Sequence, residues 1–183
     1  MAKGIWKTTF IGGFVAWLWM LISWMVLPWH CNVMESFPNE KAAVEAISAQ
    51  TRASGIYTSP SMCSGQMMEG NTRIFLSISR NNETGGMWIP MIISLVIYFI
   101  GGLLVALVIM QMASNSYGKK LFSTAMIGLI IGCMSMLPAW NWWGIPFNYA
   151  FLMIIDNFIA WLLAGLVIGA FIHPKGSHKT PSL

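Results

Sequence analysis

Four long runs of uncharged or nearly uncharged residues constrain this chain most strongly. They cover residues 8–28, 87–112, 121–138 and 147–172. A helix needs roughly 20 apolar residues to cross about 30 Å of hydrocarbon, and each run is near that length. Charged residues make up only 9% of the chain, whereas soluble domains carry about a quarter. The sequence therefore predicts an all-α membrane protein with four transmembrane helices.

The first run is preceded by Lys3 and Lys7, an arrangement that also occurs in cleaved signal peptides. No small-x-small cleavage site follows the run, and the residues before Cys31 do not form a lipoprotein box. We therefore predict that residues 1–28 are retained as a cytoplasmic N-terminus and a first transmembrane helix.

Lysines flank the runs on one side of the predicted membrane, with no acidic residue among them. They are Lys3, Lys7, Lys119, Lys120, Lys175 and Lys179. By the positive-inside rule that side is cytoplasmic, and both termini lie on it. Residues 113–120 and 173–183 are then a cytoplasmic loop and tail, whereas residues 29–86 and 139–146 lie outside. The formal charge of +4 is explained by this topology, so nucleic acid is not a predicted partner.

The long outer segment mixes acidic and basic residues, which is typical of a wettable surface. Within it, residues 37–52 predict a short amphipathic helix with Asn39 as its N-cap. The stretch "SGIYTSP" predicts a turn and a strand, and "TRIFLSISR" predicts a second strand with Ile74, Leu76 and Ile78 on one side. We therefore predict a small ordered α/β cap between the first and second transmembrane helices.

Two of the predicted helices share a sequence pattern. The second contains "FIGGLLVALVI" from Phe99 and the fourth contains "FIAWLLAGLVI" from Phe158, with seven of eleven positions identical. The first and third helices both end in Leu-Pro followed closely by Trp. Two hairpins in the same orientation would form a parallel repeat about an axis along the membrane normal. The alternative is chance similarity between apolar segments, and the sequence leaves both open.

Each predicted helix carries small residues four positions apart, which let helix backbones approach closely in a bilayer. They are Gly12 and Ala16, Gly102 and Ala106, Gly128 and Gly132, Ala160 and Ala164, and Gly165 and Gly169. This pattern predicts a compact four-helix bundle, and packing alone accounts for it.

Asp156 is the only ionisable acid or base well inside a predicted transmembrane helix. A carboxylate there costs about 2.5–3.5 kcal/mol on insertion scales, so such residues usually face other helices. No Lys or Arg lies at that depth, and the predicted hydrogen-bond partners are Asn157, Ser94, Tyr98 and Ser135. Two interpretations remain: a proton or cation site, or a structural hydrogen bond to another helix or a partner subunit.

The chain has three cysteines. Cys31 and Cys63 both lie in the outer segment, where thiols tend to oxidise, so a disulfide between them is predicted. Cys133 lies in the third helix and is expected to be an inert apolar residue. No Cys-x-x-Cys pair is present, which argues against a membrane thiol oxidoreductase.

Soft side chains in the outer segment have the chemistry to bind Cu(I). They are His30, Cys31, Met34, Cys63, Met67 and Met68. Their spacing matches no strict ligand pattern, and Met is abundant throughout the chain, at 15 residues. Pro28 ending a helix, Trp29 at headgroup level and His30 in water need no metal. We therefore predict no metal and no other cofactor.

Tryptophans gather at the predicted outer surface of the membrane. They are Trp29, Trp140, Trp142 and Trp143. Aromatic belts at the membrane interface account for them. If the two hairpins pack as a repeat, the same side chains line a shallow aromatic pocket under the cap with Asp156 at its base.

Several motifs together resemble a family of small, uncharacterised bacterial inner-membrane proteins with four helices. They are "SWMVLPWH", "SGIY", "SYGKKLF", "LPAWNWWG" and "LAGLVI", and the similarity spans most of the chain. The resemblance implies a multi-pass location in the bacterial inner membrane. It implies no activity, because none is established for the family.

Motifs for catalysis are missing from the sequence. No serine, histidine and acid are placed for nucleophilic chemistry, and no Gly-rich phosphate loop or His-Glu metal motif occurs. We predict a non-enzymatic accessory or structural subunit, or a self-associating scaffold, with the bilayer and either its own copies or a membrane protein as partners. One alternative is a small proton- or cation-linked transport or permeation protein that uses Asp156. A second is capture of a metal or small ligand by the cap.

Overall fold

The computed structural model describes residues 2–61, 72–80, 86–112 and 116–171. These residues form five helices and two strands: α1 (Ala2–Met25), α2 (Glu40–Gln50), β1 (Gly55–Ser59), β2 (Ile74–Ile78), α3 (Trp88–Met110), α4 (Tyr117–Trp143) and α5 (Phe147–Phe171). Four of the helices, α1, α3, α4 and α5, are long and apolar enough to cross a membrane. The prediction of a mainly helical, multi-pass membrane protein is therefore confirmed.

The end of α4 differs from the sequence-based boundary at Pro138. The helix continues through this proline and ends at Trp143, so only residues 144–146 separate α4 from α5. Proline lacks an N–H group and removes one helical hydrogen bond, but here it does not end the helix. Gly144 does, because it takes the left-handed conformation, with φ of 71°, and donates its N–H to the carbonyl of Ala139.

The long helices contact one another through small residues. A Cβ atom at Gly13 of α1 would lie 2.6 Å from the carbonyl oxygen of Tyr98 in α3. A Cβ atom at Gly128 of α4 would lie 2.6 Å from the Cβ of Trp161 in α5. No larger side chain fits such contacts, which is the close approach expected of small residues in membrane helices.

Helix α1 lies between α3 and α5, while α4 packs against α5 and touches α3 only slightly. The buried core at the junction of α1, α3 and α5 consists of Ala16, Val105, Ala106, Ile109, Ala160, Trp161, Ala164 and Ile168. Helix α1 packs against α3, and α4 packs against α5, as expected for two helical hairpins. The parallel repeat itself stays a prediction.

The segment between α1 and α3 contains the predicted short helix and strand pair. Asn39 is the N-cap of α2, since its side chain accepts a hydrogen bond of 3.0 Å from the N–H of Ala42. Strands β1 and β2 are antiparallel, with Gly55 opposite Ile78 and Ser59 opposite Ile74. These elements are confirmed, whereas their position on the outer side of the membrane stays a prediction.

Arg80 joins the strand pair to α2. Its guanidinium donates to the carbonyl oxygens of Ser48 and Thr51, and to the Thr51 hydroxyl at 2.8 Å. A cation near the last carbonyls of a helix is favoured by the helix dipole. At the other side of the sheet, the ring of Phe75 lies 4.9 Å from that of Trp143, which places β2 beside the end of α4.

Candidate functional site

Asp156 lies on α5, nine residues after the helix begins at Phe147, and is fully buried. At 1.5 Å per residue, the carboxylate is about 13 Å along the helix from that end. Its two oxygens face α1. The Ser23 hydroxyl lies 2.7 Å from each of them, and the indole N–H of Trp19 donates to Oδ1 at 3.0 Å. Trp19 and Ser23 are four residues apart, so they share one face of α1.

His30 approaches the same carboxylate from the chain that follows α1. After the helix ends at Met25, residues 28–33 form a turn, and His30 within it is only 1% exposed. Its Nε2 lies 3.1 Å from Oδ2 of Asp156, a distance typical of an ion pair, but at an angle outside hydrogen-bond geometry. The imidazole stacks on Trp24, with ring centroids 3.9 Å apart and planes inclined by 22°. The expectation that His30 lies in water is therefore wrong.

The other ring nitrogen of His30 contacts the backbone of α1. Nδ1 lies 3.2 Å from the backbone carbonyl oxygen of Ser23, and a carbonyl only accepts, so Nδ1 carries a hydrogen. Nε2 is the ring nitrogen that faces the carboxylate, and among the described residues it has no hydrogen-bond partner.

Trp29 completes the hydrogen bonds of Ser23. Its indole N–H lies 3.0 Å from the Ser23 hydroxyl oxygen and 3.2 Å from the Ser23 carbonyl oxygen. The hydroxyl thus accepts from Trp29 while donating its single proton to Asp156. We call the five residues Trp19, Ser23, Trp29, His30 and Asp156 the Asp156 cluster. It joins α5 to α1 and to the turn that follows α1.

The order of hydrogen bonds excludes the Ser-His-Asp mechanism of hydrolases. In that mechanism the serine hydroxyl donates to the imidazole, and the imidazole in turn donates to the carboxylate. Here Ser23 donates to Asp156, and Nδ1 of His30 donates to a backbone carbonyl. The hydroxyl is therefore not activated as a nucleophile.

The cluster is also a poor cation site. Metal ions bind oxygen lone pairs, but the carboxylate of Asp156 already accepts from Trp19 and Ser23 and faces His30. The Trp19 indole N–H and the Ser23 hydroxyl are donors, and their hydrogens repel a cation. What this arrangement can do is fix α5 relative to α1 and to the turn that follows α1.

Three of the four partners named from the sequence form other hydrogen bonds, and none of the four is hydrogen-bonded to Asp156. The Asn157 amide donates to the carbonyl of Met153 at 2.9 Å, and the Ser135 hydroxyl donates to that of Gly132 at 3.1 Å. The Ser94 hydroxyl accepts from the indole of Trp17 and donates to a backbone carbonyl, both at 2.9 Å. Tyr98 packs beside Trp161, with ring centroids 6.5 Å apart. Small polar side chains in helices satisfy themselves on the preceding turn, which frees them from any need to reach Asp156.

The sequence analysis did not identify Trp19, Ser23, Trp29 or His30 as neighbours of Asp156. Trp19 and Ser23 could have been considered together, because they lie one turn apart on the same face of α1. The position of His30 was not readable, because a helix that ends before Pro28 is usually followed by a chain that leaves the membrane.

The soft side chains considered for copper do not come together in the described structure. His30 faces Asp156, whereas Cys31 and Met34 are exposed. Among the residues described, no three His, Cys, Asp or Glu side chains are grouped so as to hold a metal ion. Cys63, Met67 and Met68 lie outside the described residues, so the Cys31 to Cys63 disulfide stays a prediction. Cys133 is half-buried and reduced.

The tryptophans proposed for one outer pocket are divided between three places. Trp29 belongs to the Asp156 cluster. Trp140 packs against Phe147, with ring centroids 5.6 Å apart. Trp142 and Trp143 line a groove of about 330 Å³ between the end of α4 and the strand pair. Asp156 is not part of the lining of that groove.

Comparison with known proteins finds no match to a family model, a curated protein or a solved structure. The fold and the site define a class: a multi-pass integral membrane protein with four candidate spans and a buried aspartate–histidine pair. The resemblance to the bacterial inner-membrane family stays a prediction.

Proposed function

We propose that this protein is a non-enzymatic membrane scaffold or accessory subunit. Its four long helices form a transmembrane bundle, with both termini in the cytoplasm and the α2 and strand region on the outer side. In this proposal the Asp156 cluster holds the turn after α1 against α5. The bundle then presents the outer region to a partner, either another copy or a different membrane protein.

The observation that carries this proposal is that Asp156 is buried and hydrogen-bonded to α1. Among the described residues, every hydrogen bond to its carboxylate comes from α1, His30 of the following turn faces it, and the side chain has no exposed surface. A buried hydrogen-bonded network rigidifies the elements that it joins, whereas a binding site keeps groups available for a ligand. The geometry therefore supports a structural role for the cluster better than a catalytic or cation-binding one.

Native mass spectrometry of the full-length protein released from its own membranes tests the scaffold role. We expect a homo-oligomer or a complex with a stoichiometric partner of different mass. A protein that remains a monomer in native-like lipid would count against the proposal.

The contact of His30 with Asp156 favours one second candidate, a proton-linked transport protein. Nε2 of His30 and Oδ2 of Asp156 lie 3.1 Å apart, so a change in the angle between the two side chains would allow a proton to pass between them. Ionisable groups inside transmembrane segments commonly serve such relays. In this alternative the protein would act as a dimer, because four helices are few for a transporter that works as a monomer.

Replacing Asp156 with asparagine separates the two candidates. An amide oxygen still accepts hydrogen bonds from Trp19 and Ser23, so the contact between α5 and α1 is kept. The exchangeable carboxyl proton is lost. If the protein transports protons, flux into liposomes that contain a pH-sensitive dye should fall to background in D156N while the protein stays folded. Equal flux through wild type and D156N, or none through wild type, rejects the transport candidate and leaves the scaffold proposal intact.

A further inference from the structure

The groove between α4 and the strand pair combines aromatic, polar and cationic side chains. Trp142 and Trp143 line it from the last turn of α4, together with the amide side chain of Asn141. Arg73 and the hydroxyl-bearing Ser59 line it from the strand pair. The volume of about 330 Å³ is at the lower end of the range for small-molecule sites.

The length of α4 sets the depth of this groove in a bilayer. The helix has 27 residues and is therefore about 40 Å long, whereas the hydrocarbon core is about 30 Å thick. The two ends of α4 must then reach the headgroup layers. Trp142, which is 66% exposed, and Trp143 lie in the last turn, at the depth where tryptophans gather in membrane proteins.

Arg73 supplies the charge of the groove. Its side chain is exposed, and within the described part of the chain its guanidinium makes no hydrogen bond or ion pair. The Arg73 side chain passes close to Gly144 at the end of α4, where an added Cβ atom would lie 3.7 Å from the Cβ and 3.8 Å from the Cδ of Arg73. The negative end of the α4 dipole favours a cation there. No described residue occupies the five N–H donors of the guanidinium.

We propose that this groove binds the phosphate of a membrane phospholipid headgroup. A guanidinium pairs with phosphate oxygens through two parallel hydrogen bonds, and Ser59 and Asn141 add neutral donors. Arg73 is the one charged side chain among the described residues that line the groove, and its full positive charge exceeds the partial negative charge at the end of α4, so the site favours an anion. The two tryptophans cover the glycerol and the first methylene groups of the lipid. The site lies outside the Asp156 cluster and is independent of the scaffold role.

Titration of phosphatidylglycerol into the full-length protein in detergent, followed by native mass spectrometry, tests this proposal. We expect a bound lipid whose dissociation constant rises about five-fold in Arg73→Gln, the effect of one basic residue near a membrane surface. Arg73→Lys should show a smaller loss, because it keeps the charge but not the paired hydrogen bonds. Arg52→Gln removes an exposed arginine outside the groove and should leave lipid binding unchanged.

Two results would overturn the lipid site. One is an equal effect of Arg73→Gln and Arg52→Gln on lipid binding, which would indicate general charge attraction. The other is binding of inorganic phosphate that depends on Arg73 while phosphatidylglycerol does not bind. Because Arg73 is exposed, Arg73→Gln should keep the wild-type circular dichroism spectrum, so folding does not confuse the comparison.

Discussion

Replacing Asp156 with alanine is expected to lower the free energy of unfolding by about 3 kcal/mol. The substitution leaves the Ser23 hydroxyl and the Trp19 indole N–H without their acceptor and removes the carboxylate that His30 Nε2 faces. Each buried donor without an acceptor costs about 1–3 kcal/mol. Reversible unfolding of the purified protein in mixed micelles, followed by circular dichroism, measures the loss.

Two control variants show whether the loss of stability in D156A is specific to the buried carboxylate. D156N keeps an acceptor oxygen for Trp19 and Ser23, so its stability should lie within about 1 kcal/mol of wild type. Glu45→Ala removes an exposed carboxylate on α2 and should change stability by less than about 0.5 kcal/mol. Equal stability of D156A and wild type would mean that the carboxylate does not lock α5 to α1.

Replacing His30 with alanine is expected to cost about 3 kcal/mol as well, for a different reason. It removes the imidazole that faces the buried Asp156 carboxylate at 3.1 Å. Removing one member of a buried pair typically costs about 3–5 kcal/mol, and the lower end applies because the hydrogen bonds from Trp19 and Ser23 to the carboxylate remain. The stacking of the imidazole on Trp24 is lost at the same time. The same unfolding experiment measures the effect.

A nearby residue of the same turn provides the control for His30. Asn32 is exposed, so Asn32→Ala should leave the unfolding free energy nearly unchanged. If His30→Ala and Asn32→Ala had the same small effect, His30 would not be held in the cluster, and the turn after α1 would not be fixed against α5.

The membrane-spanning elements could be predicted because they depend on length and hydropathy alone. A run of about 20 apolar residues has few alternatives to a spanning helix, whatever its neighbours are. The N-cap residue of α2 could be predicted for a similar reason, since the Asn39 side chain accepts a hydrogen bond from a backbone N–H three residues away. The end of α4 was not readable, because whether a helix continues past Pro138 depends on contacts of the following turn.

The depth of Asp156 could be predicted, but its partners could not. Periodicity shows which residues share a helix face and does not show which faces of two helices meet. The candidates chosen from the sequence lay at a similar depth, yet α5 presents Asp156 to α1, where Trp19 and Ser23 lie. His30 required the turn after α1 to fold back onto Ser23, a tertiary feature with no local sequence pattern.

A double-mutant cycle between Asp156 and His30 tests the central claim most directly. The unfolding free energies of wild type, D156A, H30A and the double variant give the energy of interaction between the two side chains. We expect the double variant to lose about 1–3 kcal/mol less than the sum of the single losses, because the two groups are in contact. Single losses that add to within about 0.3–0.5 kcal/mol would show that the pair does not exist in the folded protein and would contradict the account.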